Sequence, residues 1–334
     1  MNAMTSTTAR PVIFDTDPGI DDAMALFLLA RHPAIDLRAI TSVFGNASVA
    51  TTTYNARLLC GLYGLDVPVA AGAAGPLHST SESEFPAHVH GDDGLGGMAH
   101  LASPADVLDP RPAHQLICDM VNAEPGVITL IAVGPMTNLA LALRHDPGIV
   151  GKVKQVIVMG GAFGTFAHCG NVTPVAEANI INDPEAADLV FTAAWPVVLV
   201  GLDVTQEVVM SESFLSALQG RGVNGGKRVG DFIWQATRHY QDFYNDRDGI
   251  QGIYSHDASA IAYAIEPAAF DLRAGPVRVV TEGIARGQTI QDFRNFQRPS
   301  GVPSPWSGCP AQQVCIGVRA ARVLALFDQA FEEK

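Results

Sequence analysis

Short β-branched apolar runs alternate along the chain with segments whose apolar positions recur at helical spacing. Pro11–Phe14 reads as a strand and about Asp22–Arg31 as the helix after it, and Leu37–Phe44 with Val49–Leu62 repeats the pair. Val127–Val133, Val153–Met159 and Pro196–Val200 are nearly unbroken apolar runs, the form a strand takes when both faces are covered. Asp183-Pro184-Glu185 sets a capping carboxylate before a proline at the first helical position, and Pro147-Gly148 breaks a helix beginning near Met136. This alternation predicts an α/β fold. An open, mainly parallel sheet is flanked by helices on both faces, Rossmann-like in layout, with its ligand beyond the carboxyl ends of the strands.

Two stretches interrupt the pattern. Gly72–Leu95, rich in Gly, Ser, His and acidic residues, and Gln291–Pro310, rich in Pro, Ser and Gly, read as mobile loops. With no repeat or linker, residues 11–334 are expected to form one domain after a flexible stretch, residues 1–10. The 334 residues are 48% hydrophobic and 16% charged, enough to bury a large core. A net charge of −13 opposes a surface for nucleic acid, and suits a ligand without phosphate. Cys60, Cys118, Cys169, Cys309 and Cys315 form no metal-binding or disulfide pattern. No apolar leader and no run of about 18 apolar residues is present, so the expectation is a soluble cytoplasmic protein without a membrane span.

The sharpest feature is Asp15-Thr-Asp17-Pro-Gly-Ile-Asp21-Asp22-Ala, where the first strand hands over to the first helix. Four carboxylates within eight residues repel one another unless a cation holds them. A donor set of oxygens, without cysteine or a local histidine, suits Ca²⁺ or Mg²⁺ rather than zinc. A helix N-terminus that favours acidic residues explains one or two of these aspartates, not four.

The segment DTDPGIDDAMAL resembles the N-terminal signature of the inosine–uridine-preferring nucleoside hydrolases, and the likeness runs on through most of the chain. Asn46 stands after the second strand, Ala132-Val-Gly-Pro-Met-Thr-Asn138 resembles a central loop motif, and Met159-Gly-Gly with Asn171-Val-Thr-Pro-Val-Ala-Glu177-Ala-Asn179 a ribose-binding segment. Ser255-His256-Asp257 is similar to the C-terminal motif. The resemblance implies the nucleoside hydrolase fold, a homo-oligomer (dimer or tetramer), and one Ca²⁺ per subunit held by Asp17, Asp22, Asp257 and the carbonyl of Val133. It also implies Asp17 as general base, Asn46 orienting the water, and Asp21, Asn179 and Asp257 on the ribose hydroxyls. Asn171 and Glu177 would hold the 5′-hydroxyl, with Asp15 supporting the cluster from behind.

Such an enzyme cuts the N-glycosidic bond of a ribonucleoside with a Ca²⁺-bound water, giving ribose and free base. The departing base needs a proton, and His256, beside the expected ligand Asp257, is the candidate acid. His90 resembles a loop histidine that closes over the base. Tyr240 and Tyr244, one helical turn apart, would face the base and resemble the broad-specificity branch. A pyrimidine-selective hydrolase is the near alternative. A non-catalytic nucleoside-binding protein is another, opposed by the presence of Asp17, Asn46 and His256. A Mg²⁺-dependent phosphatase of the haloacid-dehalogenase type, with Asp15 as nucleophile, is more remote, because no convincing downstream lysine and acidic pair is present.

Overall fold

Each apolar run becomes a strand, with ends moved by a few residues. A computed structural model describes residues 9–78, 85–222, 229–294 and 304–332. Strands β1 (Arg10–Thr16), β2 (Ile35–Ser42), β3 (Val69–Ala71), β4 (Leu108–Asp109), β5 (Thr129–Ala132), β6 (Gln155–Met159) and β7 (Val197–Val200) are followed by the short β8 (Val209–Ser211) and β9 (Gly252–Tyr254). The last strands are β10 (Phe270–Gly275), β11 (Val277–Val279), β12 (Thr289–Gln291) and β13 (Gln312–Val318). Nine of them form one sheet in the order β10-β13-β7-β6-β5-β1-β2-β3-β4, parallel throughout except where β10 runs against β13.

The predicted coverage of both faces holds. Side chains alternate along β5 and β6 into two apolar cores: Ile131 and Ile157 join Phe27 and Leu28 on one face, and Leu130, Val156 and Val158 join Leu139 and Phe191 on the other. The strand order reverses at β1, with β2 to β4 on one side and β5 to β7 on the other. Loops leaving β1 and β5 therefore diverge and open a crevice between them, which is where the aspartate segment and Val133 lie.

The first helix, Ile20–Arg31, starts two residues earlier than the apolar spacing suggests. The Asp22 carboxylate accepts from Gly19 N at 2.9 Å, which draws Asp21 and Asp22 into the first turn, where the helix dipole favours negative charge. Asp183 caps Pro184–Thr192 as its sequence predicts, accepting from Ala186 N at 3.0 Å.

Other expectations change. Arg10, expected in the flexible start, already pairs in β1; residues 1–8 lie outside the described residues, as do residues 79–84 and 295–303 of the two expected loops. The described remainder of the first loop is built rather than loose. It contains a turn of helix at Ala87–His90, and the Asp93 carboxylate gathers Leu95 N, Gly97 N and Ala99 N at 2.8–2.9 Å. All five cysteines are unpaired, and among the described residues no helix is long and apolar enough to cross a membrane.

Gln312 fastens the far half of the sheet. Its side chain, 1% exposed, gives hydrogen bonds to Phe191 O (3.0 Å) and Trp195 O (3.3 Å) and takes one from Val197 N (2.8 Å). Gln312→Leu strands three buried backbone groups, and should lower the unfolding free energy by about 2–4 kcal/mol in urea titrations. A loss below about 0.5 kcal/mol would contradict that role.

Candidate active site

The crevice holds a cavity of about 460 Å³, the size of a small-molecule site. A second cavity of similar volume, beside Gly61 and Asp231, has no comparable cluster of functional groups. The first is lined by Asp21, Asn46, His90, Val133, Asn171, Glu177, Asn179, Tyr240, Tyr244, His256 and Asp257. Asp17 and Asp22, 1% and 0% exposed, are buried behind that lining. Residues from seven separate stretches of sequence thus meet in one place.

Carboxylates dominate one side. Oxygens of Asp21, Asp22 and Asp257 lie within 4.8 Å of one another, the tightest potential cation site among the described residues. Backbone and side-chain donors steady part of the cluster. Asp22 accepts from Thr16 Oγ1 and Asp17 N on one oxygen, and from Gly19 N and Asn46 Nδ2 on the other. Asp17 Oδ2 accepts from Asn46 N at 2.8 Å. Oδ1 of Asp17 and Oδ1 of Asp21 are buried without a hydrogen-bond partner. Such atoms are costly in a protein interior unless a ligand or ion completes them.

Burial, more than any other cause, raises the pKa values here. Asp21 and Asp22 are pushed up to about 6, and Asp17 and Asp257 well above the carboxylate range, with the neighbouring aspartates adding repulsion to Asp17, Asp22 and Asp257. Asp15 sits one step back and rises to about 7, also through burial. Its Oδ2 takes hydrogen bonds from Thr41 Oγ1 (2.6 Å) and Asn138 Nδ2 (2.8 Å), in keeping with a supporting role. Close packing demands glycine beside these groups: a Cβ at Gly45 would lie 2.0 Å from Asp17 Oδ2, and one at Gly19 would lie 2.6 Å from His90 Nδ1.

The opposite side is aromatic. Tyr240 gives its hydroxyl hydrogen to Asp21 Oδ2 at 3.2 Å, and its oxygen lies 3.1 Å from Tyr244 Oη. Tyr244 Oη is 2.8 Å from His256 Nε2, and His256 Nδ1 is 2.8 Å from Thr205 Oγ1. Because Tyr240 has one hydrogen and spends it on Asp21, the order of donors follows. Tyr244 donates to Tyr240, His256 Nε2–H donates to Tyr244, and Thr205 donates to Nδ1. This order requires a neutral imidazole, and burial indeed lowers His256 to about 3. His90, also lowered by burial, to about 4, stacks on Tyr240 at 5.4 Å and accepts from Ile20 N at 3.3 Å.

The profile of the family described as inosine-uridine preferring nucleoside hydrolase matches residues 12–325. The chain belongs to that family. It is 40% identical over 293 residues to the inosine-uridine preferring nucleoside hydrolase of Leishmania major, covering 87% of this chain and 90% of that one. It is 38% identical over 300 residues to uridine nucleosidase 1 of Arabidopsis thaliana, covering 89% and 85%. A solved plant nucleoside hydrolase superposes with a TM-score of 0.90 at 36% identity, over 96% of this chain and 98% of the other.

Within this nucleoside hydrolase, some expected roles meet different surroundings. The Val133 carbonyl, an expected metal ligand, already accepts from Asn179 Nδ2 at 2.7 Å, and Asp21 rather than Asp17 completes the closest carboxylate trio. Glu177 lines the cavity, but it also caps the short helix Ala178–Asn182. Its oxygens accept from Asn179 N, Ile180 N and Gly161 N, and Asn171 Oδ1 accepts from Ala178 N. His90 is buried and lines the cavity, and Tyr240 faces the aspartates as well as the cavity. Thr205, Phe85, Val172 and Arg247 went unnoticed in the sequence. Only Arg247 left a trace there, as the next position on the helical face of Tyr240 and Tyr244.

These shifts carry a consequence for the nucleoside hydrolase stripped of divalent cations. Carboxylates whose folded pKa is raised bind protons more tightly folded than unfolded, so their penalty is absent below about pH 4 and complete above about pH 7. His90 and His256 oppose this, since their lowered values weaken the fold as pH falls below about 6.5, but the carboxylates outnumber them. Chelator-treated protein should therefore unfold at higher temperature at pH 5.5 than at pH 7.5, by a stability difference of about 1–2 kcal/mol or more. A lower melting temperature at pH 5.5 would refute the clustered, uncompensated arrangement.

Proposed function

We propose that this nucleoside hydrolase is calcium-dependent and cleaves both purine and pyrimidine ribonucleosides. The observation that carries the reading is the carboxylate cluster, with buried unbonded oxygens on Asp17 and Asp21, at the wall of a cavity whose other wall is tyrosine and histidine. An all-oxygen donor set of several carboxylates fits a hard cation, and the number of oxygens on offer suits Ca²⁺, which takes about six to eight, better than Mg²⁺, which keeps several waters. Asp17, Asp22 and Asp257, with the Val133 carbonyl and Asp21 adjacent, would hold it. When bound, the cation would relieve the repulsion, orient the vicinal hydroxyls of ribose and make water a better nucleophile.

The protein's own groups account for the remaining work. Asp17 Oδ1 is free to take the proton of the attacking water, with Asn46 fixing the other oxygen of that carboxylate. Asp21 Oδ1 is free to accept from a ribose hydroxyl. Anionic groups beside the sugar favour the positive charge that develops there as the bond to the base breaks. The proton for the base is best drawn from the chain of Tyr240, Tyr244 and His256. Burial raises both tyrosines, so each holds its hydrogen until a stronger acceptor arrives. His256, a neutral ring, orients the Tyr244 hydroxyl through its Nε2–H, and the tyrosine that gives up its proton recovers one from water once the base has left.

Breadth of specificity rests on the aromatic wall. Phe85, Tyr240, Phe243 and Tyr244 offer flat apolar surface, which discriminates weakly between bases, while the sugar side is densely polar. Relatives named for uridine, and for inosine and uridine together, agree with such breadth. The proposal includes a homo-oligomer, expected from the family resemblance, and a cytoplasmic location, expected from the sequence.

Reducing-sugar release from inosine and uridine, with and without chelator, tests the reading. The purified protein should carry about one equivalent of Ca²⁺, lose activity with EDTA, and turn over 2′-deoxyinosine slower than inosine by up to ~10⁴-fold. Chelator-resistant activity, or equal turnover of the two inosines, would sink it. The proton-donating chain is tested separately. Tyr244→Phe and His256→Ala should lower kcat for inosine about 10²–10⁴-fold, and for p-nitrophenyl riboside very little, because phenolate departs without a proton. Equal losses on both substrates would reduce these residues to shaping the site.

A further inference from the structure

The cavity wall contains one strong base that the chemistry above leaves unused. Arg247 lies one turn beyond Tyr244 on the helix Val229–Asp248, and its side chain is 30% exposed at the mouth of the cavity. Its guanidinium stands 5.0 Å from the Tyr244 ring centre and 4.9 Å from that of Phe243. Asp248 grips Nε and Nη2 at 2.9 and 2.7 Å, a two-point contact that fixes the plane of the group. Nη1 is left without a hydrogen bond among the described residues. Among those residues, Arg247 is also the only lysine or arginine lining the cavity, and Tyr244 and Tyr240 link it in turn to Asp21.

We propose that Arg247 contacts the departing base and stabilises the negative charge it acquires. This rests on the nucleoside hydrolase reading above and assigns a residue to its leaving-group side. In the step concerned, the bond between C1′ and the base nitrogen breaks, and its electron pair stays with the base. A bond forms between C1′ and the water oxygen, the water's proton passes to Asp17, and the base takes a proton from the tyrosine chain. Charge therefore separates along the cavity, positive on the sugar and negative on the base. The fixed charges separate the same way, with Asp21 at one end of the tyrosine pair and the guanidinium at the other. An already oriented charge aimed at developing charge lowers the barrier without reorganising during the step.

A packing role alone fits less well. The pair with Asp248 is partly exposed and by itself contributes little to stability. The guanidinium's influence also extends inward, where it helps keep the His256 ring neutral.

The test is a series of ribosides with leaving groups of increasing basicity, from p-nitrophenol to uracil and hypoxanthine, given to the wild-type holoenzyme, Arg247→Gln and Arg247→Lys. For Arg247→Gln, kcat on inosine and uridine should fall about 10–100-fold, with a loss within about threefold on p-nitrophenyl riboside, so that the defect grows with leaving-group basicity. Arg247→Lys should recover part of the loss, because charge is retained though the fixed plane is not. The same factor of loss on every riboside, or no loss on inosine, would overturn the assignment. A wild-type enzyme that releases ribose from no nucleoside would overturn the parent reading with it, which separates the two failures.

Discussion

Mutual repulsion among Asp17, Asp21, Asp22 and Asp257 is the constraint around which the rest of the structure is arranged. Three of these aspartates come from the junction of β1 with the first helix, and the fourth arrives from the start of the helix His256–Ile265, far along the chain. Burial and like charge both favour their protonated forms, so the fold spends donors on them: Asp17 N, Gly19 N, Thr16 Oγ1, and both the backbone and side chain of Asn46. Two oxygens are nonetheless left unmatched. That local cost is borne by apolar packing on both faces of a nine-stranded sheet, which holds the segments where their own electrostatics would drive them apart.

The unmatched oxygens also explain why the two walls of the cavity act together. Asp21 leaves Oδ1 unbonded and receives Tyr240 through Oδ2. A change of charge on Asp21 must therefore alter how firmly Tyr240 is held, and through it the order of hydrogen bonds in Tyr244 and His256. In a low-dielectric site such a chain responds as a unit, so its members are poorly described by separate roles. His256 illustrates this. Considered alone it is a histidine with an unsuitably low pKa for an acid, whereas within the chain its Nε2–H fixes the direction of the Tyr244 hydroxyl.

Local order in the chain made some of this legible in advance. The aspartate run could be read because four carboxylates in eight residues have few explanations, and because a strand end and a helix start are each visible from periodicity. The parallel sheet was visible for the same reason, since apolar runs that are not amphipathic must be covered on both faces. What escaped were relations between distant residues. Nothing local marks Thr205 as the partner of His256, fifty-one positions away, or Asn179 as the donor to the Val133 carbonyl, forty-six positions away. His90 could be singled out in the sequence, but not its surroundings, which are set by Ile20 N and the Tyr240 ring, both remote in sequence. Composition reports the solvent preference of a segment, not the surface it is pressed against.

The contrast between the cavity walls bears on how one site could accept different bases while remaining strict about the sugar. A buried carboxylate or amide left without its partner costs far more than an imperfect fit against an aromatic ring. In the proposed reading Asp21, Asn179 and Asp257, all buried or nearly so, face the sugar, and each missing hydroxyl would leave one of them unsatisfied. On the base side the contacts are ring faces, together with hydroxyl groups that can both donate and accept. Rotating a tyrosine hydroxyl suits either a purine nitrogen or a pyrimidine carbonyl, and neither choice strands a partner. Strictness and tolerance thus follow from which wall carries the fixed, single-purpose polar groups. Under the proposed reading this is also why the leaving-group side can rely on a mobile proton and a diffuse guanidinium charge, while the sugar side requires carboxylates packed against glycines that admit no side chain.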